Sequence, residues 1–250
     1  MISKVLTVGT ALLFLLLSDF APAAPNILGK WEHLADYAGV GINGGPRVGN
    51  YRHLPINRAA RSRAETWSPG NQLQPERQCF PHSAVWVPFG PTPMHIYEEG
   101  DNRIMIRMTY NEVLRTIWMD GRAHPSKHAL HTWNGFSTGE WIGETLRVTT
   151  THTKEGFLRR NGVPNSDKAI VTEYLSLIEG FLVDVVVVTD PVYLTQPLIR
   201  TQEYSPLRDD VEVEPYTCES KWPLELGEPH HFTRHYLPGT NPFLQPNLAR

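Results

Sequence analysis

From residue 104 the chain alternates. Ile104, Ile106 and Met108 interleave with Met105, Arg107 and Thr109, a period of two that sends alternate side chains to opposite faces of a strand. Similar short segments follow at 114–119, 139–142, 145–151, 169–177, 181–189, 198–204 and 211–217, rich in valine, threonine, isoleucine and aromatics. Two more, 83–89 and 93–97, are interrupted by proline and read as edge strands. Asp120-Gly121, Gly143-Glu144, Glu179-Gly180 and Asp190-Pro191 mark turns between them, with Gly143 suited to the positive φ of a tight hairpin. No helical period separates the segments, so the pairings are expected to be mainly antiparallel. A meander of about ten strands has to hide its edges. The expected fold is all-β, an antiparallel meander closing into a lipocalin-type β-barrel, with a β-sandwich as the alternative.

Around this β domain, placed at 79–220, the pattern is irregular. Residues 24–78 are turn-rich and read as an N-terminal wrap, with a short helix from Arg58 ending near Thr66 whose three arginines face solvent. Residues 221–250 hold five prolines and read as an irregular tail.

Two strands carry an acid on an apolar face. Glu173 shares its face with Val171, Leu175 and Leu177, and Asp184 shares its own with Leu182, Val186 and Val188. A carboxylate so placed must be paired, protonated or facing a cavity. One reading is an acid–base pair with raised affinity for protons. The other is a buried salt bridge to Arg107, Arg115 or Arg147, which also lie in strand patterns. The connection after Asp120-Gly121 gathers Asp120, Arg122, His124, His128 and His131, side chains suited to proton transfer near neutral pH or to shaping a polar loop. Trp118, Trp133 and Trp141 lie in or beside strands, as does Trp86; they suit the walls of a pocket or the packing of a core.

Other chemistry is poorly supported. His230, His231 and His235 form a metal-like cluster, but prolines flank it and no cysteine or acid completes a ligand set. Gly135-x-Ser137-x-Gly139 has the letters of a nucleophile elbow without the helix that must follow it. No glycine-rich loop links a strand to a helix, so no nucleotide cofactor is expected.

The run Arg115-Thr116-Ile117-Trp118-Met119-Asp120-Gly121-Arg122-Ala123-His124-Pro125, followed by Gly135-x-Ser137-x-Gly139-x-Trp141-x-Gly143-x-Thr145-Leu146, resembles a large family of secreted bacterial proteins of unassigned function. Gly162-Val163-Pro164-Asn165-Ser166-Asp167 before Glu173, Asp190-Pro191 with Gln196-Pro197, and one cysteine on each side of the block extend the resemblance from Cys79 to Cys218. It implies an exported protein and brings no catalytic residues with it.

Composition agrees with an ordinary globular protein: 250 residues, 40% hydrophobic, 20% charged, net charge −3. There is no basic excess to suggest nucleic acid. The first 23 residues read as a secretory signal, with Lys4, an apolar run and Ala21-Pro22-Ala23 at the cleavage site; the alternative is a membrane anchor, for which the run is short. No later segment is apolar enough for a spanning helix. In an oxidising compartment Cys79 and Cys218 are expected to pair, stabilising the fold by about 3–5 kcal/mol, and two separate buried thiols are the alternative. The functional expectation is a cofactor-independent, metal-independent lyase, isomerase, cyclase or hydrolase acting on a small apolar or aromatic substrate. Its site is expected to use His124, His131, Asp120, Glu173 and Asp184, with Trp118, Trp133, Trp141 and Arg122 binding substrate. The alternatives are a non-catalytic ligand-binding barrel and a structural envelope protein.

Overall fold

The computed structural model describes residues 26–34, 48–68, 83–85, 92–109, 113–158, 161–214, 236–242 and 244. In chain order they form β1 (Gly29–His33), α1 (Arg58–Glu65), β2 (Met94–Glu98), β3 (Arg103–Met108), β4 (Leu114–Trp118), β5 (Phe136–Ile142), β6 (Thr145–Thr151), β7 (Gly156–Phe157), β8 (Pro164–Asn165), β9 (Ile170–Ile178), β10 (Phe181–Thr189) and β11 (Leu198–Pro206). Nine of the strands close a barrel in the order β1-β11-β10-β9-β6-β5-β4-β3-β2, and β7 with β8 forms a separate two-stranded ribbon. The expected closed barrel is the observed fold, and the sandwich is excluded.

A closed ring of strands that alternate up and down must have an even number of members. With nine, at least one neighbouring pair has to run the same way. That pair is β4 and β5, with Ile117 opposite Ser137 and Trp118 opposite Thr138; every other pairing in the barrel is antiparallel. Asp120-Gly121 is therefore not the hinge of a tight hairpin. It opens residues 119–135, a connection that must return along the barrel before β5 can start, because parallel neighbours need a crossover of a dozen or more residues. Close packing at this step requires a glycine in β5: a Cβ on Gly139 would lie 2.6 Å from Met119 Sδ and 2.8 Å from Ile117 Cγ2.

The N-terminal stretch expected to be irregular supplies β1, which sits between β2 and β11 and completes the ring. Its strand is only five residues long, too short for the alternation to stand out. The expected helix is present. Asn57 caps it by accepting from the Ala60 N–H at 3.0 Å, Thr66 ends it, and Ala60 and Ala64 form its buried stripe while the arginines face outward. Of the expected strand at 83–89, residues 83–85 form a turn; of that at 211–217, residues 211–214 are irregular; the remainder of each lies outside the described residues.

Two apolar clusters lie inside the barrel. One is built from Trp31, Met94, Ile96, Ile104, Ile106, Ile117, Leu146, Val148, Leu175 and Leu182, with Tyr204 among them. The other takes Val171, Val186, Val188 and Leu198 from the far ends of β9, β10 and β11 and continues into Tyr51, Ala64, Leu158 and Val163, so α1 and the β7–β8 ribbon plug that end. Leu177, expected on the inner face, is 38% exposed because β9 runs past the rim at its hairpin tip.

Candidate functional site

A polar layer lies between the apolar clusters. Arg115, Ser137, Thr150, Glu173 and Asp184 point inward from β4, β5, β6, β9 and β10, and all are buried. Arg115 Nη1 donates to Glu173 Oε1 at 2.8 Å, and Nη2 donates to Glu173 Oε2. Nη2 also reaches Thr150 Oγ1 at 3.2 Å, and Thr150 and Ser137 share a hydroxyl–hydroxyl bond of 2.8 Å. β4 and β9 are three strands apart, about 14 Å along the wall at the usual spacing of about 4.8 Å. The pair meets only because the long Arg115 side chain cuts across the inside of the curve. Of the three arginines weighed as partners, Arg107 instead binds Glu214 and Arg147 binds Glu140, both outside.

Asp184 is the third charge-bearing group of this layer. Burial, and after it the charge of Glu173, push its carboxyl well above the usual carboxylate range, against the pull of Arg115. Burial also opposes the charge of Arg115, but the Glu173 carboxylate outweighs it and raises the guanidinium's proton affinity. The Tyr204 phenol is pushed up by burial and then by Asp184 and Glu173. Asp184 Oδ1 and Arg115 Nε are buried with no hydrogen-bond partner among the described residues.

The histidines form a second cluster, on the outer face of the same wall. Ser137 and Thr150 face in, so their chain neighbours Thr138 and Thr151 face out. His124 binds both of these: Nδ1 is 2.7 Å from Thr151 Oγ1 and Nε2 is 2.9 Å from Thr138 Oγ1, with the ring edge-on to Phe136. His152 Nδ1 reaches the same Thr151 hydroxyl at 2.7 Å, and its Nε2 lies 2.9 Å from the Ser126 carbonyl. His131 donates from Nδ1 to the Thr153 carbonyl at 3.0 Å and stands 5.1 Å from the His152 ring. Burial, then the charge of His152, lower the proton affinity of His124. The corner is tight: His152 has φ 58°, and a Cβ on Gly135 would come within 2.5 Å of the Thr151 carbonyl oxygen.

The five expected acid–base residues are thus not brought together. Glu173 and Asp184 are inside, His124 and His131 are outside, and Asp120 is part-exposed, its affinity for protons lowered mainly by the hydrogen bond from Arg122. Arg122 stacks on Trp118 with its guanidinium carbon 3.5 Å from the ring centroid, and Arg103 approaches the same ring at 5.6 Å, so Trp118 belongs to the outer surface. Trp133 meets Lys154 Nζ at 5.2 Å on the connection, and Trp141 packs half-buried against the first apolar cluster. Sequence reasoning missed Thr138, Thr150, Thr151 and His152. The threonine run 149–151 was legible as strand, but hydroxyl partners on both faces leave no mark in a pattern.

A surface cleft of about 570 Å³ is lined by Lys30, His95, Tyr97, Arg107, Glu212 and Glu214, among others. It is the seam of a strap. Residues 207–214 cross back over β1, β2 and β3, where Lys30 Nζ donates to the Asp209 and Val211 carbonyls at 2.6 and 2.8 Å and Arg107 grips both oxygens of Glu214. Its cations are already engaged. Among the described residues no group of three His, Cys, Asp or Glu side chains is placed to hold a metal ion. Cys79, Cys218, Trp86, His230, His231, His235 and the N-terminal apolar run lie outside the described residues.

No family model and no curated protein matches this chain. Among solved structures it is similar to a mutant of the fluorescent protein UnaG, at 12% identity and TM-score 0.32, over 73% of this chain and 97% of that one.

Proposed function

We propose that this is an exported small-molecule-binding barrel of the secreted family its motifs resemble, holding a mostly apolar ligand by a polar group at Asp184, and not an acid–base enzyme. The observation that carries the reading is the buried Asp184 Oδ1, left without a hydrogen-bond partner among the described residues beside an ion pair that is itself satisfied. An orphaned buried acceptor costs about 1–3 kcal/mol. A ligand donor or a trapped water would remove that cost. Against catalysis stand three facts: Glu173 and Asp184 face the opposite side of the wall from the candidate histidines, Glu173 is locked by Arg115, and the part-exposed Asp120 is held by Arg122.

The test is native mass spectrometry of the purified protein, with thermal melts against 1-anilinonaphthalene-8-sulfonate, retinol and dodecanoic acid. A bound small molecule, or a probe that raises the melting temperature in the parent protein and less in Asp184→Leu, supports the reading. A bare polypeptide mass together with no shift from any probe overturns it.

A further inference from the structure

The outer histidines do something the interior reading does not need. Residues 119–135 must run back along the barrel to join two parallel strands, without a helix to stiffen them. Within that return, His124 fastens the connection to β5 and β6, and His152 reaches back from the end of β6 to the Ser126 carbonyl.

The hydrogen bonds have a direction. The Ser126 carbonyl can only accept, so neutral His152 carries its proton on Nε2 and accepts at Nδ1. Thr151 therefore donates its hydroxyl proton to His152 and must accept from His124. His124 then carries its proton on Nδ1, and its Nε2 accepts from Thr138. The chain reads Thr138 to His124 to Thr151 to His152 to Ser126, each group donating once to the next.

We propose that this chain is a pH-sensitive latch, which holds the 119–135 connection on the barrel wall while both histidines are neutral and releases it when they are protonated. One proton on either ring is accommodated: on His124 Nε2, Thr138 turns from donor to acceptor; on His152 Nδ1, Thr151 turns to donate to His124 Nδ1, whose own proton moves to Nε2 and is donated to Thr138. With both rings charged, Thr151 must accept from two imidazolium rings at once. The remaining neighbours do not offset that charge. His131 is the titratable side chain in ring contact with His152, the outer faces of β5 and β6 carry threonines, Phe136 and the mutually paired Glu140 and Arg147, and the carboxylates Asp120 and Glu155, four residues from His124 and three from His152 in the chain, are engaged by Arg122 and Arg63. The lowered proton affinity of His124 agrees in sign: its neutral form is favoured by folding, so stability present above about pH 6.5 is lost as pH falls toward the depressed value.

Hydrogen exchange at pH 7.5 and 5.0, corrected for intrinsic rates, tests the latch. Protection across 120–135 is expected to fall at least tenfold at pH 5.0 while β6, β9 and β10 hold theirs. In His124→Gln/His152→Asn that pH step disappears, asparagine being chosen because it tolerates a positive φ. If that variant does not fold, Thr151→Val takes its place and loosens the connection at pH 7.5. Nitrogen-15 NMR of the neutral parent protein should find His124 protonated at Nδ1 and His152 at Nε2. Equal protection at the two pH values, an unchanged acid response in the variant, or the opposite tautomers would each overturn the proposal.

Discussion

Thr150 and Thr151 are consecutive residues of one strand, and their hydroxyls serve opposite sides of the barrel wall. Thr150 accepts from Arg115 and meets Ser137 inside, while Thr151 joins His124 to His152 outside. Ser137 and Thr138 repeat the arrangement on the neighbouring strand. The two-residue period of a strand therefore places a buried ion-pair network and a histidine chain back to back, with one sheet thickness between them.

Breaking the interior pair should be costly. Arg115→Leu strands Glu173 as an unpaired buried charge, and about 3–5 kcal/mol of stability should be lost. Arg115→Leu/Glu173→Leu should lose less than either single substitution, since no charge is then left behind. Urea midpoints of the three variants decide this; a double variant weaker than both singles would contradict it.

Asp184 should behave as a neutral acid. Its affinity for protons is raised on folding, so the folded state binds more protons than the unfolded one between the ordinary carboxylate range and the raised value. Its contribution is complete below that range and is lost as pH rises through the folded value. Asp184→Asn, nearly isosteric with the protonated form, should remove this pH dependence and change stability by less than about 1 kcal/mol at acidic pH. The difference between parent and variant stability curves isolates it from the buried His33 and the half-buried His124, whose lowered affinities act with the opposite sign.

Gly135 should not tolerate a side chain. Gly135→Ala combines a positive φ of 69° with a clash against the Thr151 carbonyl, and at least about 2 kcal/mol should be lost. Gly100→Ala, at φ 66° with open space around it, bears only the backbone cost of about 1–2 kcal/mol. Thermal melts of the two variants should rank them in that order.

The strap should come away without unfolding the barrel. Arg107 and Glu214 form a partly exposed pair, worth less than about 1 kcal/mol. Arg107→Ala should leave the melting temperature nearly unchanged and speed proteolytic cleavage within 207–214. A large drop in stability would mean that the strap is part of the barrel's core.

Much of the wall was legible before the fold was known. The strands at 103–108, 114–118, 145–151 and 181–189, the turns at Gly143-Glu144 and Glu179-Gly180, and the buried acids all follow, to within a residue or two, from alternation and turn chemistry. β1 was not legible: five residues in a turn-rich stretch become a strand because the ring needs a member between β2 and β11. The histidine loop drew attention as a reactive cluster, but its hydrogen bonds are to threonines and carbonyls, Glu173 and Asp184 lie across the wall from it, and Asp120 is taken up by Arg122.

What the amino-acid order determined by itself is which way each strand residue faces. A period of two leaves only two choices, and a run of apolar neighbours selects between them, so Glu173 and Asp184 had to point inward. What only the tertiary structure decided is who meets whom. Arg115, not Arg107 or Arg147, reaches Glu173 because ring closure brings strands three places apart to opposite sides of one small interior. The parallel step has the same origin, since an odd ring cannot alternate all the way round, and no local pattern records how many strands will close it.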